Sequence, residues 1–143
     1  MMKLDVGCGV NKKENFFGVD VIRTKVTDII ADAANLPFKD YCADSIYSRR
    51  CIQHVKDDFK ALKEMYRVLK MGGKLQLIVA SVYGFLFYKL GFSESSGKYE
   101  VFHFYSNKKL RKMLEKVGFT KINILKVKSV RKIGYDLMAI CEK

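Results

Sequence analysis

Four cysteines, Cys8, Cys42, Cys51 and Cys141, stand apart with no CxxC spacing among them. That scatter excludes a thiol-rich zinc site and a disulfide framework, so no metal is expected. Reduced thiols in a cytoplasmic protein are the reading it favours. The N-terminus lacks a charged region followed by an apolar stretch and a small-residue cleavage site, so no signal peptide is expected. No internal repeat, low-complexity run or linker divides the chain, and residues 1–143 read as one domain. The longest apolar stretch, residues 75–92, is broken by Gln76, Ser81, Gly84 and Lys89. A strand followed by an aromatic segment accounts for it better than a membrane span. Acidic residues are scarce, 15 against 27 Lys and Arg, giving a net charge of +12. Residues 108–143 hold eleven basic and three acidic side chains and so carry most of that excess. Nucleic acid or another anionic partner would account for it, and so would a solvated surface.

What is present begins with Lys3-Leu4-Asp5-Val6-Gly7-Cys8-Gly9. A short apolar run carrying one acid and ending in two glycines reads as a buried strand running into a ligand. Gly7 and Gly9 let the backbone turn sharply and approach that ligand closely. Residues 17–21 form a second predicted strand, with Asp20 at its end. An acid there can accept both hydroxyls of a ribose. The stretch between, residues 7–16, leaves room for a turn or so of helix at most. Residues 27–31 predict a third strand that delivers Asp32, followed by the rigid apolar turn Leu36-Pro37-Phe38. Asp32 either accepts from an exocyclic amine or simply caps its own turn.

Residues 44–48 predict a fourth strand, and residues 57–70 a helix with Phe59, Leu62, Met65, Tyr66 and Leu69 on one stripe. Gly72-Gly73 is expected to end that helix. A fifth strand follows at 74–80. Ser106 is placed to cap a helix running to Val117, with Gly118 as its stop. Two strands close the chain at 121–128 and 135–141.

This order of strands, glycines and acids resembles the class I, Rossmann-like S-adenosylmethionine-dependent methyltransferases, of the small type 11 kind with a reduced N-terminal part. The carriers are Leu4-Asp5-Val6-Gly7-Cys8-Gly9, Asp20, Asp32-Ala33 with Leu36-Pro37-Phe38, and Val68-Leu69-Lys70-Met71-Gly72-Gly73-Lys74-Leu75. Phe104-Tyr105-Ser106 and Leu110, Leu114 and Gly118-Phe119 extend the likeness to the C-terminal part. The resemblance implies a three-layer α/β fold with a seven-stranded, mostly parallel sheet whose last strand is antiparallel and inserted beside the fifth. The helix between strands one and two is shortened or missing. It implies S-adenosylmethionine as cofactor, held by Asp5, Gly7, Cys8, Gly9, Asp20, Val21, Asp32, Ala33 and Ser48. Asn11 stands where the family has its third motif glycine, a place where left-handed geometry suits Asn better than most residues.

Methyl transfer from a sulfonium needs positioning more than acid–base help, and no triad is evident. By the family's arrangement the end of the fourth strand faces the methyl group. His54 is then the candidate general base. Arg49, Arg50, Tyr83 and His103 are the candidates on the acceptor's side. The absence of an N-P-P-Y or D-P-P-Y sequence there argues against an exocyclic-amine DNA methylase. The acceptor is unidentified, with a small molecule favoured. A binding module without turnover and a nucleic-acid methyltransferase using the basic C-terminal region are the alternatives. A nucleotide- or NAD-dependent enzyme is disfavoured, because G-x-G-x-x-G is not met. The uncovered sheet near strands one and two predicts a homodimer or a covering role for residues 83–92.

Overall fold

The computed structural model describes residues 1–91, 100–129 and 134–143. Seven strands form one sheet: β1 (Lys3–Val6), β2 (Phe17–Asp20), β3 (Ile29–Ile30), β4 (Ala43–Arg49), β5 (Leu69–Ala80), β6 (Thr120–Lys128) and β7 (Tyr135–Glu142). Their order is β3-β2-β1-β4-β5-β7-β6. β7 alone runs against the others, antiparallel to both β5 and β6. This is the sheet the sequence predicts.

Three helices are described: α1 (Asp58–Val68), α2 (Val82–Lys89) and α3 (Asn107–Val117). Each of the two longer ones starts at a side-chain cap. The Asp57 carboxylate accepts from the Lys60 N–H at 2.8 Å, and the Ser106 hydroxyl from the Lys109 N–H at 3.1 Å. Such caps satisfy donors that the first turn leaves orphaned. Strand alternation then decides the core. Leu75, Leu77 and Val79 of β5 and Leu137, Ala139 and Cys141 of β7 point to one face and are buried. Leu62 and Met65 of α1 and Leu110 and Leu114 of α3 close over that face. The residues in between, such as Gln76 and Ile140, lie on the other face and are half-buried or exposed.

That second face is covered differently. No helix joins β1 to β2; residues 7–16 turn back on themselves instead. The Lys13 N–H donates to Asp5 Oδ2 at 2.7 Å, and Lys13 Nζ reaches Gln76 Oε1 at 3.0 Å. Its ammonium lies 4.3 Å from the centre of the Tyr47 ring. A single lysine stem thus runs across three strands, its methylenes on apolar surface and its head on polar groups. Glycines apart, the left-handed residue of this loop is Asn15, at φ 63°, and not Asn11.

Three expectations need correction. The helix ends at Val68, where Leu69 turns extended, and Gly72-Gly73 lies inside β5. Gly72, at φ 75°, kinks the strand, which steps from Leu69 opposite Ala43 to Lys74 opposite Ser45. The extra residues there bulge out. The aromatic segment after β5 does not cover β1 and β2. It becomes α2 and packs beside β7, with Tyr83 and Tyr135 rings 5.5 Å apart. Residues 92–99 and the basic pair Arg131-Lys132 lie outside the described residues.

Candidate functional site

β1, β2 and β4 end on the same edge of the sheet, and a cavity of about 1000 Å³ opens there. Its floor comes from the first two turns. The Gly7 and Cys8 N–H groups both donate to the Val19 carbonyl, at 2.8 and 3.2 Å. This folds the turn after β1 over the end of β2. Gly7 sits at φ 80°, and a Cβ built on it would fall 2.3 Å from Cys51 Cβ. Only glycine combines that backbone with that proximity.

Asp20 joins the two turns. Its Oδ2 accepts from the Gly9 N–H at 2.8 Å and its Oδ1 from the Ile22 N–H at 3.1 Å. The Thr24 hydroxyl donates to the Gly9 carbonyl at 2.7 Å and completes the lacing. Each carboxylate oxygen has a second lone pair for another donor. Asp32 follows β3. Its Oδ1 accepts from the Ala34 N–H at 2.8 Å, so it does cap its own turn while lining the cavity.

The opposite wall follows β4. Arg50 has a left-handed backbone, φ 54°, and its N–H donates to the Ile78 carbonyl at 2.7 Å. Its guanidinium meets both carboxylate oxygens of Asp136, at 2.8 and 2.9 Å. That pair ties the turn after β4 to the start of β7. Next comes Cys51, whose thiol is pushed up to about 12, chiefly by burial and then by the negative charge of Asp20. It is therefore a neutral packing group and no thiolate nucleophile. His54 ends a single 3₁₀ turn, and its Nδ1 lies 2.8 Å from the Glu100 carbonyl oxygen. A carbonyl only accepts, so Nδ1 carries the proton and the neutral ring's lone pair is on Nε2.

Of the residues singled out from sequence, Gly7, Gly9, Asp20, Val21, Asp32, Ala33, Arg49, Arg50 and His54 line this cavity. Five others do not. Asp5 is buried on the other face beneath Lys13, and desolvation raises its carboxyl above the usual range. Cys8 is buried against Thr27, and its thiol is likewise raised by burial. Ser48 is fully buried in the sheet. Tyr83 stands on α2. His103 Nε2 lies 3.0 Å from both the Val55 and the Lys56 carbonyl oxygens, so it shapes the loop that forms the wall without lining it. Its neighbour Phe102 lines the cavity in its place, with Lys56 over its ring. The sequence reading also missed Arg23, Thr24, Asn35 and Lys60. Lys60 reaches Asn35 Oδ1 at 3.0 Å across the mouth. The polar residues after β2 and β3 were the available signal. Among the described residues, no group of three or more His, Cys, Asp or Glu is placed to hold a metal ion.

Comparison with known proteins adds to this geometry. Over 126 residues the chain is 29% identical to phosphoethanolamine N-methyltransferase 2 of Caenorhabditis elegans, covering 80% of this chain and 27% of that protein. Over 141 residues it is 34% identical to a demethylmenaquinone methyltransferase of Staphylococcus haemolyticus, covering 81% and 59%. The chain thus spans between about a quarter and three-fifths of these relatives. Its fold is shared with a crystal structure from Thermotoga maritima described as a SAM-dependent methyltransferase, possibly a histamine N-methyltransferase. The TM-score is 0.76 at 23% identity, over 99% of this chain and 82% of that one. The family described as a methyltransferase domain matches residues 4–77. That is just over half of the chain, which belongs to the methyltransferase domain family.

Proposed function

We propose that this chain, acting as one domain, transfers a methyl group from S-adenosylmethionine to a small-molecule acceptor. The carrying observation is the Asp20 carboxylate, fixed by two backbone N–H groups at the edge of a cavity that Asp32 also lines. The residues present fit the cofactor. Asp20 keeps lone pairs for two ribose hydroxyls. Gly9 has open space where a Cβ would stand, so the backbone admits close approach. Asp32 and Ala33 suit the adenine side. S-adenosylmethionine, when bound, supplies a methyl group already activated by its sulfonium.

The chain's own task is then to bind, orient and move one proton. Arg49, Arg50 and His54 form the wall on the acceptor's side, and Phe102 adds an apolar surface. In this reading His54, which lines the cavity, serves as the general base for the proton that an amine or hydroxyl acceptor loses. The relatives named above act on small molecules by their own descriptions, which supports that acceptor class here. The four free cysteines fit the reducing cytoplasm.

Isothermal titration tests the reading. The wild type is expected to bind S-adenosylmethionine and not NAD. Asp20→Ala should lose about 2–4 kcal/mol, on the order of 30- to 1000-fold in affinity, because charge-assisted hydrogen bonds go. A folded Asp20→Ala protein with unchanged affinity overturns the ribose assignment. Cofactor binding with no transfer to any small amine, hydroxyl compound or RNA would leave the binding-module alternative. Salt-steep binding of RNA would favour the nucleic-acid alternative.

A further inference from the structure

We infer that α2 and the lysines beside it form a docking surface for an anionic lipid bilayer. The helix reads Val-Tyr-Gly-Phe-Leu-Phe-Tyr-Lys, one charge in eight residues. A helix apolar all round is normally buried all round. This one is not. Gly84 is buried and lies against Gly134. The outer side carries Val82, Tyr83 and Leu86, which are 39%, 54% and 53% exposed, and Leu90 just beyond, 59% exposed; Tyr83 stands at the border, its ring 5.5 Å from that of Tyr135. The Leu90 N–H donates to the Leu86 carbonyl at 3.0 Å, so the helical path continues to it. At about 100° per residue these four fall within one arc of about 100°. Elsewhere the exposed apolar residues Val10, Val21 and Ile22 belong to the cavity, and Tyr41 and Met71 stand apart from one another.

The charge around the stripe selects the occupant. Lys126 Nζ lies 4.8 Å from the Tyr135 ring centre, and that ring lies 5.5 Å from Tyr83. Lys128 is exposed and stands opposite Tyr135 in the β6–β7 register. No Asp or Glu occurs in residues 81–91 or 119–129, and Asp136 nearby is paired with Arg50. An apolar aromatic stripe beside lysines that have no carboxylate partner among the described residues is what an amphipathic segment on an anionic membrane presents. Size points the same way. Eight residues of helix, about 12 Å long and about 10–12 Å across, present a face on the order of 130 Å², short of the roughly 800 Å² per partner that a standard protein interface buries. Shallow insertion needs far less. No helix among the described residues is long and apolar enough to cross a membrane. The patch follows the end of β5 and adjoins Asp136, whose partner Arg50 lines the cavity. Docking therefore turns the cavity's edge of the sheet toward the lipid headgroups.

Sedimentation of the full chain with vesicles tests this. Vesicles of phosphatidylcholine alone are compared with equal parts phosphatidylcholine and phosphatidylglycerol. The wild type should bind the mixed vesicles at least about tenfold more tightly, since each lysine near the surface is worth about fivefold. Leu86→Ser/Leu90→Ser, both at exposed positions, should lose about tenfold or more. Lys126→Gln/Lys128→Gln should lose a similar factor and flatten the salt dependence. Lys108→Gln/Lys112→Gln on α3 should bind like the wild type. Circular dichroism confirms that each variant is folded. Failure to bind mixed vesicles overturns the inference. So does an equal loss in the α3 variant, which means net charge alone, or a wild-type dimer that Leu86→Ser/Leu90→Ser separates, which means a self-interface. Titration with S-adenosylmethionine runs in parallel; its failure bears on methyl transfer and not on docking.

Discussion

Gly7→Ala is expected to damage the fold and the site together. Gly7 has φ 80°, and an added Cβ would stand 2.3 Å from Cys51 Cβ and 2.6 Å from its sulfur. Holding an L-residue in the left-handed region costs about 1–2 kcal/mol. Forcing extra volume into packed surroundings costs about 1–3 kcal/mol more. The sum, about 2–5 kcal/mol, is a large share of the roughly 5–15 kcal/mol that holds a domain together. The measurement is urea unfolding, supported by the melting temperature, which should fall by about 2–4 °C for each kcal/mol. Cys51→Gly separates the two terms, because it removes the Cβ and sulfur that clash but leaves the backbone of residue 7 unchanged. In that background Gly7→Ala should cost only about 1–2 kcal/mol. The cycle should therefore show a coupling of about 1–3 kcal/mol. Equal losses in both backgrounds would refute the contact with Cys51 as the cause. Relief of the clash by moving residue 7 would also shift Gly9 against Asp20, so S-adenosylmethionine affinity should fall along with stability.

The Arg50–Asp136 pair should be costly to break from one side. Asp136→Ala leaves a largely buried guanidinium without its carboxylate and should cost about 3–5 kcal/mol in urea unfolding, whereas Arg50→Met/Asp136→Leu should recover most of it; a single-change cost below about 1 kcal/mol would contradict the pairing. Asp5 has its carboxyl raised by desolvation, so ionising it opposes folding: its destabilising effect is absent below the unfolded value near 3.8 and grows as pH rises through the raised value. Asp5→Asn should therefore gain stability relative to wild type between pH 3.5 and pH 7, read from urea midpoints at the two pH values, and a difference that does not change with pH would count against it.

The sheet was legible in the sequence because its signals are local. Apolar runs, β-branched residues and terminal acids mark strand ends wherever they occur, and Asp20 and Asp32 both line the cavity. What failed was decided at longer range. Asp5 and Ser48 belong to the right strands, but alternation turns Asp5 to the face that Lys13 covers and Ser48 into the core. Gly72-Gly73 looked like a helix stop, yet α1 had already ended at Val68 because Leu69 pairs with Ala43. Arg50 does line the cavity, but its pairing with Asp136 was not foreseen; that partner lies 86 residues away, a distance at which no sequence pattern announces a pair. Phe102 and Lys56 were missed for a similar reason. Their positions depend on the His103 ring meeting two carbonyl groups, and carbonyl groups are the same at every residue.

The placement of β7 between β5 and β6 governs the order of assembly. Among the described residues, the strand formed by residues 135–142 supplies the only strand neighbour that β6 has in the sheet and the second neighbour of β5. The other six described strands precede it in the sequence. Until it arrives, β5 offers an unpaired edge bearing Leu75, Leu77 and Val79, and α3 has only part of its floor. Pairing at such separations is slow, since the closing loop must be ordered first. The incomplete sheet is meanwhile a template for strands of other chains. In this fold the yield of folded protein is thus a race between one strand insertion and intermolecular pairing, and dilution during refolding favours the insertion.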